Sequence, residues 1–371
     1  MKIALIAPPF ISVPPQRYGG TELFIAHLAE RLGGCGMKVI LYANGESTAN
    51  CEVRSLYPHS EWPIQGEIFA SIKDLNHASW AIHDCWNEAD IIHLNNTPGL
   101  AFARFAGPRF VYTVHHPHED TLSEFYSYLP GVEYVTISRF QQAQERMQRL
   151  RTIHHGIDMR AYHWQSRKQP YLCFLGRIAP VKGAHLAIQV AKRAGIPLKI
   201  AGEVQPQFKD YFESEIKPHI DGKFIEFLGE ADLAAKNELL GNAMAMLFPI
   251  QWDEPFGFVL IEAMATGTPV LALPGGSVPE VIADGVSGWI CNSVDEMVKK
   301  ARQIDSAFTP ATVRQYAEKY FSVERMVASY AALYQQIAKE RREHAAESIA
   351  VVGKKDLDAF PIEPQEPRAI A

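Results

Sequence analysis

A chain of 371 residues exceeds the length at which one hydrophobic core usually stops growing, so two domains are expected. Hydrophobic residues at 47%, charged residues at 21% and a mean hydropathy of -0.11 describe a soluble chain able to bury sizeable cores. The net charge of -6, with a pI near 6.2, gives no general attraction to phosphate backbones and argues against nucleic acid as a partner.

The first run, Ile3–Ala7, reads as a strand, and the apolar N-terminus is too short for a signal segment or a membrane span. An amphipathic helix is predicted from about Thr21, with Phe24, Leu28 and Leu32 on one stripe and Gly33-Gly34 as its stop. Further strands are predicted at Val39–Tyr42, Ile91–Leu94, Phe110–Val114 and Tyr134–Ile137. Ser166 to Pro170 is polar, ends in proline and reads as a linker.

A second series then begins with strands at Tyr171–Leu175, Leu198–Ala201, Phe224–Leu228, Ala245–Phe248 and Val270–Leu273. Helices are predicted through Leu186, Val190 and Ala194, over Leu233–Ala243 and from about Phe256 to Ala265. A last amphipathic helix is predicted over Val323–Ala338, and the proline-bearing tail after His344 reads as poorly ordered. Short β-branched runs alternating with helical patterns predict an α/β protein with two doubly wound, Rossmann-like domains. Ligands of such sheets collect beyond the strand carboxyl ends, so facing domains share one central cleft. The five cysteines, Cys35, Cys51, Cys85, Cys173 and Cys291, are scattered without CxxC spacing and read as reduced thiols of a cytosolic protein.

The candidate chemistry sits in loops after strands. Gly19-Gly20 precedes the first helix, where backbone can approach a phosphate, although the same residues also read as a helix entry capped by Thr21. No G-x-G-x-x-G follows the first strand, which argues against a dinucleotide oxidoreductase. Gly176 to Gly183 carries Arg177 and Lys182, a guanidinium and an ammonium able to neutralise a diphosphate without a metal. A pair of solvated loop cations is the plainer alternative. The sole Asp-x-Asp, Asp356-Leu357-Asp358, falls in the tail and is set aside as a metal site.

In Asp253 to Val270, Pro255 is expected in the first helical turn, with Glu254 in the loop before it and Glu262 two turns inside. Two carboxylates so spaced can serve two parts of one extended ligand, and the apolar neighbours of Glu262 argue against a plain exposed charge. His115, in the cluster His115-His116-Pro117-His118 at a strand end, is the candidate catalytic histidine. The run Arg139, Arg146, Arg149 and Arg151 reads either as a solvated face or as a lipid-headgroup contact.

The segment Glu254 to Glu262 resembles the E-x7-E motif of family 4 retaining glycosyltransferases with the GT-B fold. Gly19-Gly20, Thr136-Ile137-Ser138, His155-Gly156-Ile157-Asp158, Gly176–Gly183, Phe227-Leu228-Gly229 and Pro274-Gly275-Gly276 leading to Glu280 follow in the family's order, over about residues 1 to 340. The resemblance implies an acceptor-side domain over 1–165, a nucleotide-sugar-binding domain over 166–320, a helix over 321–343 crossing back to the first domain, and a tail over 344–371. It implies a metal-independent hexosyltransferase with no cofactor, moving a sugar with retention from a UDP- or GDP-sugar, UDP preferred, to a hydroxyl acceptor in an α linkage. Arg177, Lys182 and Gly20, beside Gly19, would hold the diphosphate. Glu254, Phe256, Gly257 and Phe258 would contact the sugar, Glu262 the ribose, and Gly202, Glu203, Gly229, Ala231 and Lys236 would surround the base. His115 would meet a sugar hydroxyl. The acceptor is a glycan, a lipid-linked sugar or a small metabolite, reached in the cytoplasm or at the inner membrane face. A noncatalytic sugar-nucleotide-binding module of a glycan-assembly system is the alternative.

Overall fold

The computed structural model describes residues 1–17, 19–64, 66–105 and 109–358, without the side chains of Glu67 and of 344–358. Two parallel sheets organise the chain. In the first, β1 (Lys2–Ile6), β2 (Lys38–Tyr42), β3 (Glu52–Arg54), β4 (Ile91–Leu94), β5 (Phe110–Val114), β6 (Glu133–Thr136) and β7 (Leu150–Thr152) take the order β3-β2-β1-β4-β5-β6-β7. In the second, β8 (Gln169–Leu175), β9 (Leu198–Ala201), β10 (Ile225–Phe227), β11 (Ala243–Phe248), β12 (Val270–Ala272) and β13 (Gly288–Ile290) take the order β10-β9-β8-β11-β12-β13. Both orders reverse beside the first strand of their series, so each sheet has a switch point where loops part and a ligand can enter.

The central strands β1, β4 and β5 are buried at nearly every residue, as parallel strands covered on both faces must be. Pro170 stands inside β8, in its exposed first two residues, where a missing ladder donor is tolerated. The expected linker therefore runs directly into a strand. The helix Phe258–Ala265 starts two residues later than expected, after Gly257, so Pro255 precedes it and Glu262 lies only one turn inside.

The helix Pro310–Phe321 packs Val313, Ala317 and Phe321 into the core of the second sheet. The chain then crosses at Ser322, and Met326, Tyr330, Tyr334 and Ile337 of the helix Val323–Asp358 join the core of the first sheet with Ile3, Phe24 and Leu41. The phenols anchor it: the Tyr334 hydroxyl lies 2.7 Å from Nδ1 of His93, and the Tyr330 hydroxyl 2.9 Å from that of Thr113. This helix continues past the expected end near residue 338 to Asp358, so Asp356 and Asp358 fall on helical backbone and the first part of the expected tail is helical. Residues 359–371 of that tail lie outside the described ones.

All five cysteines are free thiols. Among the described residues no helix is long and apolar enough to cross a membrane. The basic run is mostly consumed internally. Arg149 and Arg151 both pair with Glu133, at 3.0 and 2.6 Å, and Arg146 meets Asp120 at 3.4 Å.

Candidate active site

Between the two sheets lies a cavity of about 360 Å³ whose wall draws on both lobes. The first lobe supplies Gly20 and Thr21 at the start of the helix Gly20–Arg31, and His115 after β5. The second supplies Arg177 and Lys182 after β8, Gly202 and Glu203 after β9, Ala231 and Lys236, and the stretch Glu254 to Val259. Gly19, Gly229 and Glu262 do not line it. Gly229 instead accepts, through its carbonyl, the N–H of Gly202 at 2.8 Å, and Gly20 packs so closely that an added Cβ would stand 3.3 Å from the Phe258 ring.

Backbone geometry sets the cationic loop. Gly202 passes under it so tightly that a Cβ there would lie 1.8 Å from the carbonyl oxygen of Gly176. Gly183 ends the loop at φ +77, in left-handed conformation, with the Pro249 carbonyl occupying the space of a side chain. Any larger residue at either position must displace main chain.

Lys182 forms an ion pair with Glu254 in which both side chains are largely buried, and its ammonium stands 4.7 Å above the Trp252 ring. The Trp252 indole N–H donates to the same carboxylate at 3.0 Å. Burial pushes the Lys182 amine below its usual range, and nearby Arg177 adds to this, while Glu254 opposes it. The Arg177 guanidinium has no hydrogen-bond or salt-bridge partner among the described residues, so its five donors face the cavity uncommitted.

Glu262 is 1% exposed. Its Oε1 accepts from the Tyr162 hydroxyl at 2.8 Å and from Lys236 at 3.0 Å, whereas Oε2 is buried without a partner. An orphaned carboxylate oxygen is costly, and this one lies behind Lys236, which lines the cavity.

Of the three clustered histidines only His115 lines the cavity. His116 is turned to Tyr126, 2.7 Å away, and His118 lies between Glu145 at 3.1 Å and Asp120 at 3.4 Å. Nε2 of His115 sits 3.0 Å from Oδ1 of Asn95, which fixes the ring. Burial, reinforced by His155, His93 and His116, holds this imidazole neutral, well below the usual histidine range.

Four features in or against the wall escape sequence reading. His155 stacks between the lobes, 5.6 Å from the His115 ring and 4.6 Å from that of Phe258, and burial lowers it to about 3. Arg17 reaches Glu230 across the cleft at 3.3 Å, and the Trp62 indole donates to Glu203 at 3.2 Å. Trp252 positions Glu254 as described. His155 stands in a motif read above without a role, and Arg17 precedes the Gly19-Gly20 turn, but their partners His115, Phe258 and Glu230 are remote in sequence and leave no local signal.

Comparison with known proteins is consistent along the chain. Residues 18–161 match the model of Glycosyltransferase Family 4, and residues 158–320 match that of Glycosyl transferases group 1. A putative glycosyltransferase YtcC of Bacillus subtilis is 23% identical, over 91% of this chain and 92% of its own. Sucrose-phosphate synthase of Thermosynechococcus elongatus superposes with a TM-score of 0.75 at 18% identity, over 91% of this chain and 98% of its own. HepE of Anabaena, solved with UDP and glucose, superposes at 0.70 and 18% identity, over 91% of this chain and all of its own. The chain belongs to glycosyltransferase family 4, a two-domain α/β protein of the GT-B fold.

Proposed function

We propose that this glycosyltransferase moves a hexose with retention, and without a metal, from a nucleotide-diphosphate sugar to a hydroxyl acceptor, forming an α-glycosidic bond. The carrying observation is the convergence of the uncommitted Arg177 guanidinium and the Lys182–Glu254 pair on one interlobe cavity, with the half-satisfied Glu262 behind its Lys236 wall.

In this reading the diphosphate meets Arg177 and Lys182 opposite the N-terminus of the helix Gly20–Arg31, where free N–H groups and the helix dipole favour anions. Negative charge grows on the leaving diphosphate as the glycosidic bond breaks, and two fixed cations stabilise it more in the transition state than before. Those cations take the part a divalent ion plays elsewhere. Glu254, held by Lys182 and Trp252, addresses the sugar. Neutral His115 can exchange a hydrogen bond with a sugar hydroxyl without adding repulsion to an oxocarbenium-like centre. The acceptor attacks the face from which the diphosphate departs, its proton passing to the departing phosphate oxygen. Lys236 and the free Oε2 of Glu262 suit the ribose hydroxyls, and uridine is the preferred base, in keeping with the UDP bound to HepE. The same proposal places the work in the cytoplasm or at the inner membrane face, where the five free thiols stay reduced.

A thermal-shift panel of UDP- and GDP-sugars, followed by donor hydrolysis with and without EDTA, tests the reading. Selective stabilisation by one donor and EDTA-resistant release of an α-configured sugar are expected. No stabilisation by any sugar nucleotide, or release abolished by EDTA, overturns it.

A further inference from the structure

A second cavity, of about 160 Å³, lies behind the first, and His155 belongs to the walls of both. It opens where the long helix Val323–Asp358 begins, and its polar lining includes Arg139, Thr152, His154, Ser322, Arg325 and Ser329.

The arginines distinguish it. Arg31, Arg54, Arg149, Arg151 and Arg160 are each paired with carboxylates. Neither the Arg139 nor the Arg325 guanidinium has a hydrogen-bond or salt-bridge partner among the described residues. Arg139 comes from the first lobe's fold and Arg325 from the returning helix, so tertiary structure alone brings the two cations to one hollow. The neighbouring carboxylate, Glu280, is already engaged: it accepts the backbone N–H groups of Arg139 at 2.9 Å and Phe140 at 3.0 Å, and it meets Nε2 of His154 at 3.0 Å. It does not line the hollow. Thr152 is spent on Thr136 and Gln142, and Ser329 on the Arg325 carbonyl, which leaves the Ser322 hydroxyl and Nδ1 of His154 without a partner among the described residues. Ser322 and Arg325 also bracket the first turn of a 36-residue helix, whose N-terminus adds partial positive charge. Buried His155, behind them, carries an unpartnered Nδ1.

We propose that this rear cavity binds a phosphate-class oxyanion, either a small phosphomonoester or inorganic phosphate, or the phosphate of a lipid headgroup, between Arg139 and Arg325. Two planar donor forks from different elements suit the several oxygens of one tetrahedral anion, as a single lysine would not. The occupant joins the first lobe to the crossing helix directly behind the His155–Phe258 stack. This inference does not depend on which sugar nucleotide fills the front cleft.

The test removes the one uncommitted front guanidinium as a competitor. In an R177A background, titration with inorganic phosphate is followed by thermal shift against chloride at matched ionic strength, with and without R139A/R325A. Phosphate stabilises R177A, and adding R139A/R325A weakens phosphate affinity roughly tenfold or more, as loss of charge-assisted bonds requires. A single R325Q variant, exposed and peripheral to both cores, gives a smaller loss in the same direction. Sedimentation with phosphatidylcholine vesicles, with and without phosphatidic acid, separates the sources. Arginine-dependent capture only by the phosphatidic acid vesicles assigns the site to a headgroup, and arginine-dependent stabilisation by free phosphate assigns it to a soluble anion. A phosphate response unchanged by R139A/R325A, or no response to either probe, overturns the proposal.

Discussion

Replacing Lys182 by methionine separates what the ion pair does for the fold from what it does for a ligand. The side chains of Lys182 and Glu254 are 14% and 10% exposed, so the variant strands a carboxylate that only the Trp252 indole still serves. Breaking a buried pair from one side costs about 3 kcal/mol or more, because the remaining charge stays desolvated. Removing the other partner as well should relieve most of that cost. K182M/E254Q should therefore return to within about 1 kcal/mol of the parent, the glutamine amide being neutral and still able to accept from Trp252. Activity follows another logic. One charge-assisted contact to a diphosphate is worth about 2 kcal/mol, so donor turnover should fall about thirtyfold in K182M and stay low in the double variant. Urea unfolding gives the stabilities and donor hydrolysis the rates. A K182M protein as stable as the parent, or one that the second substitution does not rescue, refutes the coupling. Full activity in either variant refutes the role in donor binding.

His115→Ala should lower kcat about a hundredfold, as removal of one group acting in the transition state does, with less than about 2 kcal/mol lost in stability; an unchanged kcat removes His115 from the mechanism. Burial lowers His27 to about 4 and His93 and His155 to about 3, so below the unfolded value near 6.5 the unfolded chain binds more protons than the folded one. Their stabilisation is complete above pH 6.5 and declines as pH falls toward their folded values, by about 2 kcal/mol per histidine at pH 5. Urea midpoints that stay flat between pH 7 and 5 contradict this. Glu22, beside the Gly19-Gly20 turn, runs the other way: burial raises its carboxyl to about 7, so its contribution is complete below the unfolded value of 4.5 and lost as pH rises through 7. E22Q should thus gain up to about 3 kcal/mol over the parent at pH 8 and nothing at pH 4.5; a gain independent of pH would point to packing instead.

The central strands and most of the second lobe's cavity-lining residues were legible because their signals are local. Buried parallel strands such as Ile91–Leu94 and Phe110–Val114 are unbroken apolar runs, and the Arg177–Lys182 loop and the Glu254–Glu262 stretch carry their spacing within one segment. The edge strands Glu52–Arg54, Leu150–Thr152 and Gly288–Ile290 went unread, since three residues are too few to show a period. The helix Glu67–Cys85 also escaped. Its exposed Ile68, Phe69 and Ile72 blur the stripe formed by buried Ala78, Ala81, Ile82 and Cys85. The late start of the helix Phe258–Ala265 reflects Gly257, whose left-handed conformation makes it the entry residue in place of Pro255. The contacts closing the cleft, His155 on Phe258 and Arg17 to Glu230, depend on how the lobes face each other, and no local pattern encodes that.

A crystal structure with UDP tests the central claim most directly. The account predicts diphosphate oxygens hydrogen-bonded to Arg177 and Lys182, with the ribose hydroxyls turned to Lys236 and the free oxygen of Glu262. A diphosphate seated on another surface, or a ribose bound away from Glu262, contradicts it.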